Sequence, residues 1–105
     1  MSADASGQTD APRNLVGPVL QTGELAEAVI EAIREDNPDK EVLIERRASY
    51  VRVQTEGECV IRRVTVADML GRPFKMQELE VDMSAFAGQI ETSTEQVRFY
   101  REKIL

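Results

Sequence analysis

Apolar residues recur at helical spacing in residues 24–35. Leu25, Val29 and Ile33 are four positions apart, and charged side chains occupy the positions that would face the opposite side of a helix. The dipeptide Asn37-Pro38 follows, and the residue before a proline is disfavoured in the α region. The pattern therefore predicts an amphipathic helix over residues 24–35 that ends sharply before the proline.

Short apolar runs elsewhere in the chain have the composition and alternation typical of strands. We predict strands over residues 42–44, 50–53, 59–61, 79–83 and 96–101. The three central runs are expected to pair as antiparallel neighbours, with Gly57 in the turn before the third. For residues 96–104 a helix is the alternative, because Val97, Tyr100 and Ile104 also suit one helical face.

A second, shorter helix is predicted from its capping residues. Thr65 and Asp68 match a capping box, and Val64 and Met69 match the two positions of a hydrophobic staple. This helix is expected to begin at Val66. Its C-terminal signals are Gly71 and Pro73.

The N-terminal region divides into a tail and the first strand of the fold. Residues 1–13 are rich in Ser, Ala, Asp, Gly, Thr and Pro without apolar periodicity, which predicts a disordered tail. Residues 14–20 contain Gly17-Pro18, and because Pro18 cannot donate to a ladder we predict an edge strand or an extended entry there. Residues 14–105 then form one α+β domain in the order β-α-β-β-β-α-β-β, with two helices packed on small mixed or antiparallel sheets.

Charge and hydropathy narrow the classes of partner. The 105-residue chain carries 13 Lys and Arg against 19 Asp and Glu, a formal net charge of −6. Surplus negative charge repels phosphate backbones, which argues against a nucleic-acid partner. The chain has no apolar run approaching the roughly 20 residues of a membrane span, so we expect a cytoplasmic protein without a membrane partner.

Residue types that are missing exclude most common catalytic sites. The chain has no His, one Cys and no Trp, so it lacks the side chains for a His-ligated or multi-Cys metal site or a Ser-His-Asp triad. Cys59 lies in an apolar run, which favours a small core residue over a redox role. Glu27, Glu31 and Glu35 are spaced as a solvated helix face, which we favour over a general acid and base pair.

Several arginines are predicted on or beside neighbouring strands, with Tyr50 among them. They are Arg46, Arg47, Arg52, Arg62 and Arg63. Basic side chains beside an aromatic ring are a pattern of RNA-binding surfaces, but long cationic side chains also protect sheet edges. The chain has no glycine-flanked aromatic stretch of the RNA-recognition type, so edge protection is favoured. A small interaction domain that binds RNA or a small ligand is kept as the alternative function.

Two segments place an aromatic residue in what is predicted to be a polar loop. Phe74 and Met76 lie in residues 70–76, and Phe86 lies among small residues in 84–89. Exposed apolar side chains of this kind anchor protein partners. The alternative, that each Phe folds back to cap a small core, fits the sequence equally well.

Several sequence blocks in a fixed order resemble the effector proteins of multicomponent bacterial di-iron monooxygenases, above all those of toluene and benzene monooxygenases. The blocks are Asn14-Leu15-Val16-Gly17-Pro18, Asp36-Asn37-Pro38, Arg47-Ala48-Ser49-Tyr50-Val51-Arg52, Leu70-Gly71-Arg72-Pro73-Phe74, Met76-Gln77-Glu78-Leu79-Glu80, Ser84-Ala85-Phe86-Ala87-Gly88-Gln89-Ile90 and Gln96-Val97-Arg98-Phe99-Tyr100.

The resemblance implies a non-catalytic, cofactor-free effector that binds the di-iron hydroxylase and couples O2 activation to aromatic hydroxylation. It implies the monooxygenase regulatory protein fold, with its sheets meeting at a corner. It also implies a monomer when free and a hydroxylase surface that overlaps that of the Rieske ferredoxin or reductase. The candidate partner-binding residues are Asn37, Arg72, Phe74, Asp82, Ser84, Ala85 and Phe86.

Overall fold

The computed structural model describes residues 14–102, so the tail predicted for residues 1–13 lies outside the described residues. In chain order the elements are β1 Leu15–Gln21, α1 Glu24–Asp36, β2 Leu43–Arg46, β3 Tyr50–Glu56, β4 Glu58–Arg62, α2 Arg63–Leu70, α3 Met76–Asp82, β5 Met83–Ala87, β6 Gln89–Thr92 and β7 Gln96–Tyr100. The α+β class is confirmed. The predicted order lacked one helix, α3, and one strand, β6.

The strands form two antiparallel sheets. One has the order β2-β3-β1-β5 and the other has the order β4-β7-β6. The prediction that residues 14–20 form an edge strand is wrong, because β1 lies between β3 and β5. Pro18 is tolerated there because the ladder to β3 pairs Val16 and Val19 but is interrupted between them. At the same interruption the backbone of Gly17 lies so close to β3 that a side chain would clash. A Cβ on Gly17 would lie 2.1 Å from the Val53 carbonyl oxygen.

The expected pairing of the three central strands is half confirmed. Strands β2 and β3 do pair, but β4 pairs with β7 in the other sheet. A single residue, Gly57, separates β3 from β4, and a tight hairpin needs about two loop residues. With its φ of 81°, Gly57 directs the chain from one sheet into the other.

Helix α2 begins earlier than its capping signals predict. Its first residue is Arg63 rather than Val66, so the predicted capping box at Thr65 and the predicted staple are wrong. The Thr65 hydroxyl instead donates to the Asp36 carboxylate at 2.8 Å, which joins α2 to the end of α1. Gly71 ends the helix in the left-handed region, with a φ of 72°, as its sequence position indicates.

The strand predicted over residues 79–83 is also wrong, because residues up to Asp82 belong to α3 and the strand begins at Met83. The backbone N–H of Lys75 donates to the Glu78 carboxylate at 3.1 Å, which stabilises the first turn of the helix. Met76 and Leu79, three positions apart, are buried, whereas Val81 is 83% exposed. The apparent alternation at Leu79, Val81 and Met83 therefore combines a buried and an exposed residue of α3 with the first residue of β5.

The core lies between the two sheets and α1, which buries six residues from Ala26 to Ile33. Val97 and Phe99 on β7 are fully buried, and the strand predicted there is confirmed. Cys59 is a core residue, as predicted, and burial raises the pKa of its thiol to about 12. No helix within residues 14–102 is long and apolar enough to cross a membrane.

Candidate partner-binding surface

Strand β5 forms one edge of the four-stranded sheet and carries three consecutive exposed side chains, Ser84, Ala85 and Phe86. The loop predicted over residues 84–89 is wrong, since this segment contains most of β5, a turn at Gly88 and the first residue of β6. The register to β1 shifts beside Ser84, which is therefore the extra residue of a β-bulge. A bulge at a sheet edge disfavours pairing with a further strand. A protein partner would therefore contact the side chains of this edge rather than extend the sheet.

Phe86 combines both roles that the sequence left open. Its side chain is 43% exposed, and its ring lies 5.7 Å from the ring of fully buried Phe99, at an interplanar angle of 46°. One face of Phe86 thus covers the core while the rest remains free for a partner. The chain turns two residues later at Gly88, where the backbone packs closely against β1 and β7. A Cβ on this residue would lie 2.6 Å from Val16 Cγ1 and 2.9 Å from the Tyr100 carbonyl oxygen.

Asp82 is the last residue of α3 and lies next to β5 in the chain. Its Oδ2 atom is buried and makes no hydrogen bond with the described residues. Desolvation of the partly buried carboxyl raises its pKa above the ordinary range. Because Oδ2 is closed to solvent, a partner can reach only the remaining, half-buried part of the Asp82 side chain. We call Asp82, Ser84, Ala85 and Phe86 together the β5 strip.

The candidate residue Phe74 and its neighbour Met76 are buried. Phe74 is 2% exposed and Met76 is 3% exposed, so the prediction that this segment exposes them is wrong, and the alternative that Phe74 caps the core is confirmed. Arg72 is exposed beside them, where it donates to the Pro73 carbonyl at 2.9 Å and to Glu78 at 3.2 Å. The Lys75 backbone N–H donates to the Glu78 carboxylate at the start of the helix that follows, but lysine is not a usual N-cap residue, so little in the sequence indicates this helix.

Asn37, expected to contact a partner at the end of α1, uses its side chain within the chain. Its amide donates to the carbonyls of Ile33 and Val60, both at 2.8 Å, and its Oδ1 accepts from the Val60 N–H at 2.9 Å. Strand β4 is a sheet edge, and the Asn37 amide pairs with it as a neighbouring strand would. Asn37 is 7% exposed, which leaves almost no surface for a partner.

The arginines considered for RNA binding are mostly paired with carboxylates. Arg46 binds both oxygens of Glu27, at 2.5 and 3.1 Å. Arg47 and Arg52 share Glu45, and Arg63 binds Glu95 at 2.9 Å. These ion pairs neutralise the surface, so the structure favours edge protection over an RNA-binding face. Across the part of the chain that the structure describes, no three Cys, His, Asp or Glu side chains come together as a metal site.

The chain is similar to proteins of one family. The profile of the MmoB/DmpM family matches residues 14–100. The effector subunit of the alkene monooxygenase system of Xanthobacter autotrophicus is 43% identical over 91 residues, which cover 87% of this chain and 90% of that protein. DmpM, the stimulatory component of the phenol 2-monooxygenase of Pseudomonas sp. (strain CF600), is 33% identical over 78 residues, which cover 74% of this chain and 84% of that protein.

Solved structures share the fold. The similar chain in the complex of phenol hydroxylase with its regulatory protein has a TM-score of 0.72 and 30% identity, over 84% of this chain and 99% of that chain. Regulatory protein B of soluble methane monooxygenase has a TM-score of 0.62 and 24% identity, over 88% of this chain and 68% of that chain. This shows likeness of fold alone. The monooxygenase regulatory protein fold that the resemblance implied is thereby confirmed.

Proposed function

Because the chain belongs to the MmoB/DmpM family, we propose that it is the non-catalytic effector subunit of a multicomponent monooxygenase and binds the hydroxylase component. The observation that carries this proposal is the β5 strip. It places the partly exposed ring of Phe86 beside two exposed small side chains along one sheet edge, with the half-buried Asp82 just before the strand in the chain. A few aromatic anchors that become buried on binding often dominate the binding energy of a protein interface.

The β5 strip is suited to change the conformation of a partner by binding it, without supplying a reactive group. Phe86 packs on Phe99 of the second sheet, and β5 is hydrogen-bonded to β1, so the strip is held rigidly before binding. A rigid ligand shifts a partner only if it binds one conformation of that partner more tightly than another. Moving a hydroxylase from a minor to a dominant conformation requires about 2 to 5 kcal/mol of differential affinity.

For the substrate we propose an aromatic hydrocarbon, on the resemblance of the sequence blocks to the effectors of toluene and benzene monooxygenases. The two named relatives serve an alkene monooxygenase and a phenol monooxygenase. Oxidation of toluene and of propene by the reconstituted system should therefore be compared. Faster stimulated turnover of toluene supports the aromatic proposal, and stimulation of propene oxidation alone contradicts it.

We further propose that the free effector is a cytoplasmic monomer and that it shares hydroxylase surface with the Rieske ferredoxin or reductase. Shared surface predicts that a large excess of effector inhibits turnover, because the electron donor is then displaced. Turnover that rises to a plateau and never declines would contradict the shared surface while leaving the effector role intact.

Binding to the hydroxylase is tested by calorimetric titration of the hydroxylase component from the same organism. We expect saturable binding that weakens with added salt, because the net charge of −6 steers the chain toward a basic surface. A titration with single-stranded RNA serves as the comparison. Binding of RNA without binding of hydroxylase would overturn the proposal in favour of the alternative function.

A further inference from the structure

Helices α1 and α2 enclose a groove whose lining residues are all outside the β5 strip. Its volume is about 390 Å³, and its lining residues are Glu24, Glu27, Ala28 and Glu31 from α1 and Met69 and Leu70 from α2. Ala28 is buried, Leu70 is half-buried, and Met69 is 41% exposed. The floor of the groove is therefore apolar, with a flexible thioether side chain left accessible.

One rim of this groove is acidic. Glu24, Glu27 and Glu31 have helical spacing that places them along one side of α1. Glu27 is engaged by Arg46, whereas Glu24 and Glu31 are exposed and form no ion pair with the described residues. Asp68, next to Met69 on α2, is also exposed. The negative charge along this rim is therefore only partly compensated.

The size of the β5 strip indicates that a hydroxylase complex needs a second contact. A stable protein interface buries about 800 Å² on each partner and involves about 20 to 30 residues a side. The strip supplies four residues. The α1–α2 groove adds an accessible apolar surface with a charged rim, which matches the apolar core and polar rim of protein interfaces.

We propose that the α1–α2 groove binds a basic amphipathic helix of the hydroxylase component. This inference rests on the proposed function. An apolar side chain of that helix contacts Met69, and flanking Lys or Arg side chains lie beside Glu24 and Glu31. An apolar floor with an acidic rim complements the two faces of such a helix, and methionine adapts to the shape of the inserted side chain.

The charge contribution is tested with a pair of matched double variants. Glu24→Gln/Glu31→Gln removes the two uncompensated carboxylates of the rim, and Asp39→Asn/Glu102→Gln removes two exposed carboxylates elsewhere. Both variants carry the same net charge, so long-range steering is equal. In calorimetric titrations of the hydroxylase at low salt we expect Kd to rise about fivefold for the rim variant and less than twofold for the control. Added salt should reduce the difference between them.

The apolar contribution is tested on α2. Met69→Ala removes the exposed thioether, and Val64→Ala removes an exposed side chain of the same helix, 48% accessible, that does not line the groove. We expect Met69→Ala to raise Kd several-fold at low and high salt alike, with unchanged thermal unfolding, and Val64→Ala to leave Kd unchanged.

The outcomes separate this inference from the proposed function. If the wild-type chain binds hydroxylase and neither groove variant differs from its control, the groove proposal is overturned while the effector role stands. If the wild-type chain does not bind hydroxylase at all, the proposed function itself fails. A loss of binding in the groove variants that is accompanied by a lower melting temperature would count against the groove as a contact.

Discussion

Replacing Phe86 with alanine separates the two roles that the structure gives this ring. Phe86 is 43% exposed, and since a Phe side chain buries roughly 150–250 Å² when fully covered, its free share is about 85 Å². At about 25 cal/mol/Å², covering that share contributes about 2 kcal/mol to docking, which corresponds to roughly a 30-fold change in Kd.

The covered share of the ring contributes to the stability of the isolated chain. Phe86→Ala removes the contact with Phe99 and part of the apolar burial. We expect a loss of about 1 to 2 kcal/mol in the free energy of unfolding, less than the cost of truncating a fully buried Phe. The variant should therefore remain folded in dilute buffer.

Both quantities can be measured on the same preparation, by urea unfolding for stability and by calorimetric titration of the hydroxylase for Kd. Val64→Ala is the control, because it shortens a similarly exposed apolar side chain on α2. If Phe86→Ala loses stability and its Kd stays within threefold of wild type, Phe86 only caps the core and the β5 strip is not the docking centre.

Three further predictions concern residues around the strip and the end of α1. Gly88→Ala should destabilise the chain by about 2 to 4 kcal/mol in urea unfolding, because its Cβ would overlap Val16 at a φ of 96°; an effect below 0.5 kcal/mol would show that the turn relaxes easily. Burial raises the pKa of Asp82 in the folded state, so ionisation of this carboxyl costs stability as the pH rises through that pKa. Asp82→Asn should therefore raise the melting temperature slightly at pH 7, should not raise it at a pH below the ordinary pKa of Asp, and should weaken hydroxylase binding. A lower melting temperature at pH 7 would contradict this assignment. Asn37→Ala leaves the Val60 N–H and carbonyl without their partner and should cost about 2 to 4 kcal/mol of stability, with Kd per folded molecule unchanged; a rise in Kd per folded molecule would instead indicate a direct contact.

The sequence predicts α1 and β7 well because their patterns depend on local periodicity and burial. The edge-strand prediction at Pro18 fails, although proline indeed cannot donate a backbone hydrogen bond to a neighbouring strand. The gap that accommodates Pro18 lies in the pairing of β1 with β3, which the local sequence does not specify. Prediction from the sequence fails again at Leu79, Val81 and Met83, whose alternation suggests a strand although a capping interaction begins a helix at Met76.

The candidate site is predictable only in part, for a similar reason. Ser84, Ala85 and Phe86 are exposed, as a docking role requires, whereas Phe74 and Asn37 are buried by contacts that no local pattern specifies. Asn37 binds β4, which is more than 20 residues away in the chain. The α1–α2 groove likewise depends on how two helices pack, so its acidic rim looks like an ordinary solvated face in the sequence.

The central claim is that this chain acts on a hydroxylase without contributing a reactive group of its own. The most direct measurement is the amount of hydroxylated product formed per NADH consumed by hydroxylase, electron donor and substrate, with and without the purified chain. The account predicts a higher product yield per NADH with the chain present, loss of that gain with Phe86→Asp, and no turnover by the chain alone. An unchanged yield, or product formed by the chain without hydroxylase, would contradict it.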